Sequence, residues 1–281
     1  MFPLEEHTLQ LYVCSVADKL KYSSIKVYLC GVQYESVVRG YKNRMVNMSR
    51  LYYVLRGIRK SHPSNVIRRK PITIQHLHHM IKFINNSQFR RRDKALWKCL
   101  ILMAFFALLR ISEYVVPSNV AFDPCVHLTP ADVVVDSSDN CVMLKIKASK
   151  TDPFRIGCKI RLVQIGGPLC PVNAIKKYLR IRGTKSGPFF VLASGNYVTR
   201  KFVAAFLELT LPNEVNINTH SFRIGGASAA ASSGVPDSAI KILGRWSSDC
   251  YRRYLHLDNN CIKQWHQQMS SLNSLTKLWN Y

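Results

Sequence analysis

Residues 219–255 read THSFRIGGASAAASSGVPDSAIKILGRWSSDCYRRYL, and the rest of the chain is read outward from this stretch. From Gly225 to Gly234 every residue is Gly, Ala or Ser. Side chains this small let a second backbone come close to a helix. His220 and Arg223 stand three apart at the start of the run, so they share one helix face. H-x-x-R is a weak signal by itself, and tight helix packing accounts for the small residues as well. Beyond Pro236, PDSAIKILG reads as a further helix. LGRWSSDCYRRYLHL then gathers Arg245, Trp246, Tyr251 and Tyr254 into one basic, aromatic segment that suits a nucleic-acid face.

Composition narrows the partners. The chain has 281 residues and a formal net charge of +24, a balance that points to a polyanion. Hydrophobic residues make up 47% of the chain, which argues against disorder and provides for a real core. Between Glu35 and Asp93 there is no acid, while that window holds fourteen Lys and Arg. So long a basic stretch favours nucleic acid over a merely solvated surface, with an anionic membrane surface as the rival polyanion. The N-terminus MFPLEEHTLQ is acidic and polar, unlike a signal peptide. The most apolar run, CLILMAFFALL (99–109), is too short to span a bilayer and reads as a buried helix. No membrane partner is therefore expected. Nine scattered Cys without CxxC pairing suit reduced thiols in an intracellular compartment, the nucleus if the host is eukaryotic. His76, His78 and His79 have poor ligand spacing and read as surface or phosphate-facing, so no metal and no other cofactor is expected.

The hydrophobic pattern gives mainly helix. Residues 5–20 form one helical segment, and Ser23 or Ser24 can cap a second that stops near Gly40. NMSRLYYVLRGIRK follows, with Leu51, Val54, Leu55 and Ile58 on one stripe. SHPSNVIRRKPIT breaks the pattern with two prolines and a basic cluster. This divides the chain into a helical domain at 1–62, a linker at 63–72 and a second domain at 73–281. The second domain begins with helices at 73–85 and 93–115. CVMLKIK (141–147) and CKIRLVQI (158–165) alternate as strands of a β-hairpin joined by ASKTDPFRIG. Helices resume at PVNAIKKYLRIR, with Pro171 suited to a first turn, and at TRKFVAAFLELTL. The tail carries Ile262, Trp265, Met269, Leu272, Leu275 and Leu278 at three-to-four spacing. The expected fold class is mainly α with a small antiparallel β-sheet.

Further side chains upstream carry chemistry. Arg110 follows the apolar run in ALLRISEY, and an Arg leaving a buried helix is paired or faces an anion. Glu113 is placed to orient it, so a plain buried ion pair is the alternative. Lys150, in KASKTDP, sits at the hairpin tip, where a Lys is ordinarily solvent-facing; Lys147 nearby belongs to the strand.

The order of these signals is more specific than any one of them. Arg, Lys on a hairpin, H-x-x-R, then LGRW and Tyr resembles the tyrosine recombinase family, which includes the phage integrases. The matching segments are ALLRISEY, KASKTDPFRIG and residues 219–255, with KYSSIKVYLCGVQY less sharply. In style the last motif is similar to recombinases of eukaryotic mobile elements, such as cryptons and recombinase-bearing retrotransposons. The resemblance covers nearly the whole chain and is sharpest in the last third.

The resemblance implies a helical core-binding domain and a catalytic domain clamped around double-stranded DNA. It implies strand cleavage and rejoining through a 3′-phosphotyrosine, without metal or ATP, in the service of a mobile element. Arg110 and Arg223 would clamp the non-bridging oxygens, since each guanidinium donates two parallel hydrogen bonds. Tyr254 would be the nucleophile, with Tyr251 the alternative. His220 would accept its proton or bond the phosphate, and Lys150 would protonate the leaving 5′-oxygen. After LG many bacterial members have His; here Arg245 holds that place and Trp246 follows. Trp246, whose ring N–H can donate, is the first choice for the fifth position and Arg245 the second. Arg39, Lys42, Arg44, Arg68, Arg69, Lys70 and Arg245 are expected to bind DNA. A homo-oligomer, a tetramer, is expected on DNA, with the tail docking on a neighbour, and a monomer when free. Rival readings are a domesticated DNA-binding protein that does not cut, and a type IB topoisomerase-like enzyme that relaxes DNA.

Overall fold

The computed structural model describes residues 4–42, 45–62, 69–117, 120–136, 138–255, 262–263 and 266–267, with the backbone alone for Val46, Arg253 and Tyr254. The expected Arg44, Arg68 and most of the tail stripe lie outside the described residues. No described helix is long and apolar enough to cross a membrane. The chain divides into two compact units, Met1–Ile67 and Arg68–Tyr281.

The first unit is helical. It contains α1 (Glu6–Ala17), α2 (Tyr22–Val38) and α3 (Ser49–Ser61). Leu9 and Val13 of α1, Ile25 and Leu29 of α2, and Leu51 and Ile58 of α3 close a small core. Glu6 ties the first turn of α3 to α1: its carboxylate accepts from the Leu51 amide at 3.0 Å. Ser23 and Ser24 do not cap α2. The N-cap is Lys21, and both serines lie inside the first turn. The first turn can therefore be wound without the serine oxygens.

The second unit contains α4 (Ile74–Asn86), α5 (Arg91–Phe106) and α6 (Ile111–Tyr114). A meander of β1 (Val133–Asp136), β2 (Cys141–Ile146) and β3 (Cys158–Val163) follows. Helices α7 (Pro171–Arg182), α8 (Arg200–Thr210), α9 (Ser221–Ser232) and α10 (Asp237–Leu243) complete it. The sheet order is β1-β2-β3, antiparallel throughout, with Leu144 opposite Val133 and Ile160. Val142, Leu144 and Ile146 point into the core, as the alternation required. Beside the two strands expected, β1 is a third, its VVVD too short to show a period.

Helix α5 is buried nearly all round, and Trp97 stacks on Phe206 of α8 at 4.1 Å between centroids. The single helix expected over 93–115 is corrected. It breaks after Phe106, and Arg110 becomes the N-cap of α6. The break is a Schellman turn: Leu109 N donates to Ala104 O and Leu108 N to Phe105 O. Leu108 holds the left-handed position at φ 46°. Glycine usually occupies that place, and a leucine there costs about 1–2 kcal/mol. The same device ends α10, where Trp246 N donates to Lys241 O and Arg245 sits at φ 56°.

The small residues of α9 have a visible purpose. A Cβ on Gly225 would lie 2.0 Å from the Ile72 carbonyl oxygen, and one on Gly226 would lie 2.3 Å from that of Phe105. Helix α9 is thus pressed between the strand-like segment before α4 and the end of α5. Ile72 N donates to Ser221 O and Lys70 N to Asn216 O, which pins that segment along the start of α9.

The His triplet is absorbed by structure in part. His76 completes the capping box of α4 by accepting from Thr73 N at 3.1 Å. His79 Nε2 lies 3.1 Å from Thr210 O, and His78 is exposed.

Candidate active site

Two strained helix ends meet at the start of α9. Arg223 is 1% exposed, and its guanidinium donates to the carbonyls of Leu108 and Gly244. It also lies over the Trp246 ring, 4.4 Å from the centroid. Arg245 donates to the same Leu108 carbonyl at 3.2 Å, to Ala107 O at 3.0 Å and to Glu113 Oε2 at 3.0 Å. Glu113, wholly buried at its side chain, also accepts from Arg110 Nη1 at 3.0 Å and from the Arg110 amide at 2.9 Å. Arg110, Glu113, Arg245, Leu108 and Arg223 therefore form one hydrogen-bonded chain. The left-handed turn at Leu108 aims its carbonyl at both arginines, which offsets the backbone cost.

One buried carboxylate, that of Glu113, serves the guanidiniums of Arg110 and Arg245 here, with the Arg223 guanidinium joined to them through the Leu108 carbonyl. The cluster carries excess positive charge in a partly buried place, which is what a phosphate requires. His220, the N-cap of α9, feels this directly. Its pKa is lowered to about 4 by burial first, then by Arg223, Arg69 and Arg110. At neutral pH it is an uncharged imidazole beside three guanidiniums.

Each sequence-predicted residue has a definite place. Arg110, His220, Arg223, Arg245 and Trp246 come together. Trp246 is 7% exposed and packs beneath Arg223 and against Tyr251, with 5.2 Å between the ring centroids of Trp246 and Tyr251. Arg245 keeps an 18% exposed side chain beside Arg110. Gly244 permits this, because a Cβ there would strike the Trp246 ring. Tyr251 is buried, its hydroxyl donates to the Asp237 backbone carbonyl at 3.4 Å, and the Asp237 carboxylate beside it, with burial, raises its pKa. The Tyr254 backbone ends the short 3-10 turn Asp249–Tyr254, and its side chain lies outside the described residues.

Lys150 is exposed on the turn between β2 and β3. Lys147 is committed elsewhere, to Asp132 at 2.5 Å and Pro124 O at 2.6 Å. The root of the hairpin reaches the arginines. Cys158, at the start of β3, has its thiol pKa raised by burial first, with Arg245, Glu113, Asp152 and Arg110 as its charged neighbours. Arg69 is exposed at the edge of the site, whereas Lys70 pairs with Glu214 at 3.2 Å. In the first unit Arg39 pairs with Glu35 at 2.8 Å and Lys42 is exposed.

The sequence did not disclose the Leu108 carbonyl or the double use of Glu113. The one available signal was Arg245 after LG: an arginine at a helix end that normally takes glycine.

The only group of three ligand-type side chains found close enough to hold a metal among the described residues is Asp136, Asp139 and Cys141. The Asp136 carboxylate already accepts from Ser138 N, Ser138 Oγ and Asp139 N, so it serves its own turn.

No family model matches the chain, and no curated protein matches it in sequence. Solved structures do match in fold. The XerH site-specific recombinase bound to palindromic difH substrate, in a post-cleavage complex, has a TM-score of 0.62 at 15% identity, over 98% of this chain and 73% of that one. The Tn1549 transposon integrase in complex with a circular intermediate DNA gives 0.61 at 11% identity, over 95% and 86%. A lambda integrase dimer bound to a COC′ core site gives 0.54 at 15% identity, over 92% and 81%. The fold is mainly α with a small antiparallel sheet, and it resembles that of tyrosine recombinases.

Proposed function

We propose that this chain is a site-specific DNA recombinase that cuts and rejoins strands through a 3′-phosphotyrosine and serves a mobile element. The observation that carries the reading is the shared network of Arg110, Glu113, Arg245 and Arg223 around the Leu108 carbonyl, with neutral His220 at its edge, in a fold like that of DNA-bound recombinases. Double-stranded DNA is the partner, and a homo-oligomer assembles on it.

In this mechanism Arg110 and Arg223 bind the non-bridging oxygens of one phosphodiester. Fixed donors aimed at charge that develops in the transition state contribute about 3 kcal/mol each. The Tyr254 phenol oxygen attacks phosphorus, the P–O5′ bond breaks, and the strand leaves with a 5′-hydroxyl. The phenol proton passes to His220. An imidazole with a pKa of about 4 is a weak base, but a phosphate bound among Arg110, Arg223 and Arg69 offsets their charge and raises its basicity. Lys150 protonates the leaving 5′-oxygen. Rejoining reverses these transfers, so no external energy source enters.

The packing of Trp246 supports a role as the platform under Arg223, with Arg245 as the third guanidinium of the site. Burial of Tyr251 supports Tyr254 as the nucleophile. The test is a nicked duplex whose cleaved strand loses a short fragment, so that the adduct is trapped. The wild-type chain is expected to form a covalent adduct that maps to Tyr254, and Tyr254→Phe is expected to form none. DNA binding without any adduct on any nicked duplex sinks the proposal in favour of a protein that only holds DNA.

A further inference from the structure

The two most exposed large apolar side chains described are Phe154, at 85%, and Ile156, at 86%. They stand two positions apart on the turn that joins β2 and β3. Large apolar groups held in water mark an interaction surface when they lie together on a formed element.

This tip is formed in advance. Asp152 N donates to Ser149 O at 3.1 Å, and Arg155 N to Asp152 O at 3.3 Å. The Asp152 carboxylate accepts from Ile156 N at 3.1 Å and from Gly157 N at 2.7 Å. Gly157, at φ 72°, folds the chain back where a Cβ would sit 2.7 Å from Ile146 O. Arg155 between the two apolar residues is itself left-handed, at φ 53°. The shape is therefore paid for before any partner arrives, which lowers the entropy cost of docking.

Charge selects the occupant. From Cys141 to Val163 the hairpin carries Lys145, Lys147, Lys150, Arg155, Lys159 and Arg161, and Asp152 is its single acid. The Asp152 carboxylate is taken up by the turn. An apolar pair on a turn that also carries Lys150 and Arg155, above strands rich in Lys and Arg, suits a polyanion with an apolar interior, which is duplex DNA with its stacked bases. The hairpin root at Cys158, two positions after Ile156, has Arg110 and Arg245 as charged neighbours, which ties this end of the hairpin to the arginine cluster.

We infer that Phe154 and Ile156 form a wedge that enters the duplex beside the bound phosphate and partly unstacks one base step. Wedges of this kind kink DNA and select steps that unstack at low cost. The inference rests on the recombinase reading and adds to it a source of target choice. Lys150 and the wedge share one turn, so insertion brings the proposed general acid to the leaving oxygen.

The test uses the full chain and a duplex enriched by wild-type protein from a randomised library. Thymine reactivity toward permanganate reports unstacking. Wild type is expected to expose thymines at one step near the cleaved phosphate. Phe154→Ala/Ile156→Ala is expected to lose that signal and to bind about tenfold to a hundredfold more weakly. The slope of log affinity against log salt should stay the same, because no phosphate contact is removed. Both side chains are exposed, so the melting temperature should not move. Equal binding and an equal permanganate pattern in the variant overturn the wedge while adduct formation leaves the recombinase reading standing. A changed sedimentation of the DNA-free protein with unaltered DNA binding overturns it in favour of contact with a second copy. Failure to enrich any duplex overturns both.

Discussion

Arg223 is the side chain on which most of the site depends. It bridges the ends of α5 and α10 through the Leu108 and Gly244 carbonyls, and its planar face rests on Trp246. A lysine matches neither the fork nor the stacking. Arg223→Lys and Arg223→Ala are both expected to slow adduct formation by about a hundredfold or more, read as single-turnover rates on the nicked duplex. Arg223→Ala also takes this donor from the buried Gly244 carbonyl and leaves the Leu108 carbonyl with Arg245 alone, so its melting temperature should fall too. His220 gives a pH signature. Its folded pKa of about 4 lies below the ordinary 6.5, so between these values the unfolded chain binds more protons than the folded one. Its contribution to stability is therefore complete above about pH 6.5 and lost as pH falls toward 4. His220→Gln should flatten that limb of the melting-temperature profile; an unchanged profile would show that His220 does not titrate as placed.

At the scale of elements, α9 is defined by what it cannot carry. Gly226→Ala places a methyl against the Phe105 carbonyl and is expected to destabilise the protein by about 1–3 kcal/mol in urea unfolding. Gly57, on the exposed face of α3, is the control: no atom lies within 4 Å of its added Cβ, so Gly57→Ala should stabilise by about 0.5–1 kcal/mol. The close packing of α9 was legible in its letters, as were the hairpin, Pro171 in the first turn of α7 and most helix spans. The break after Phe106 was not. ALLR contains no Gly or Pro, and the left-handed Leu108 follows from arginines far along the chain that need its carbonyl. The third strand escaped because Val133–Asp136 is too short for alternation to register. The motif order brought Arg110, His220 and Arg223 to notice together, but the pairing of Arg245 with Glu113 required knowing that α6 and the end of α10 are neighbours.

For the whole molecule, the decisive property is charge. If the proposed function holds, a chain of +24 binding DNA largely through phosphates releases many counterions, and its affinity should fall steeply between about 50 and 200 mM salt. With Lys42 proposed as a phosphate contact, Lys42→Ala is expected to reduce the log–log slope by about 1 across unrelated sequences. A slope that does not change removes Lys42 from the binding surface. The Leu108 carbonyl has a wider consequence. It is one acceptor shared by arginines from α9 and from the end of α10, both more than a hundred positions away. Losing either guanidinium disturbs the hold on the other, so single substitutions will look almost equally severe and their penalties will not sum. The site is epistatic by construction: an alanine scan cannot rank its members, and a paired substitution cycle at Arg223 and Arg245 can.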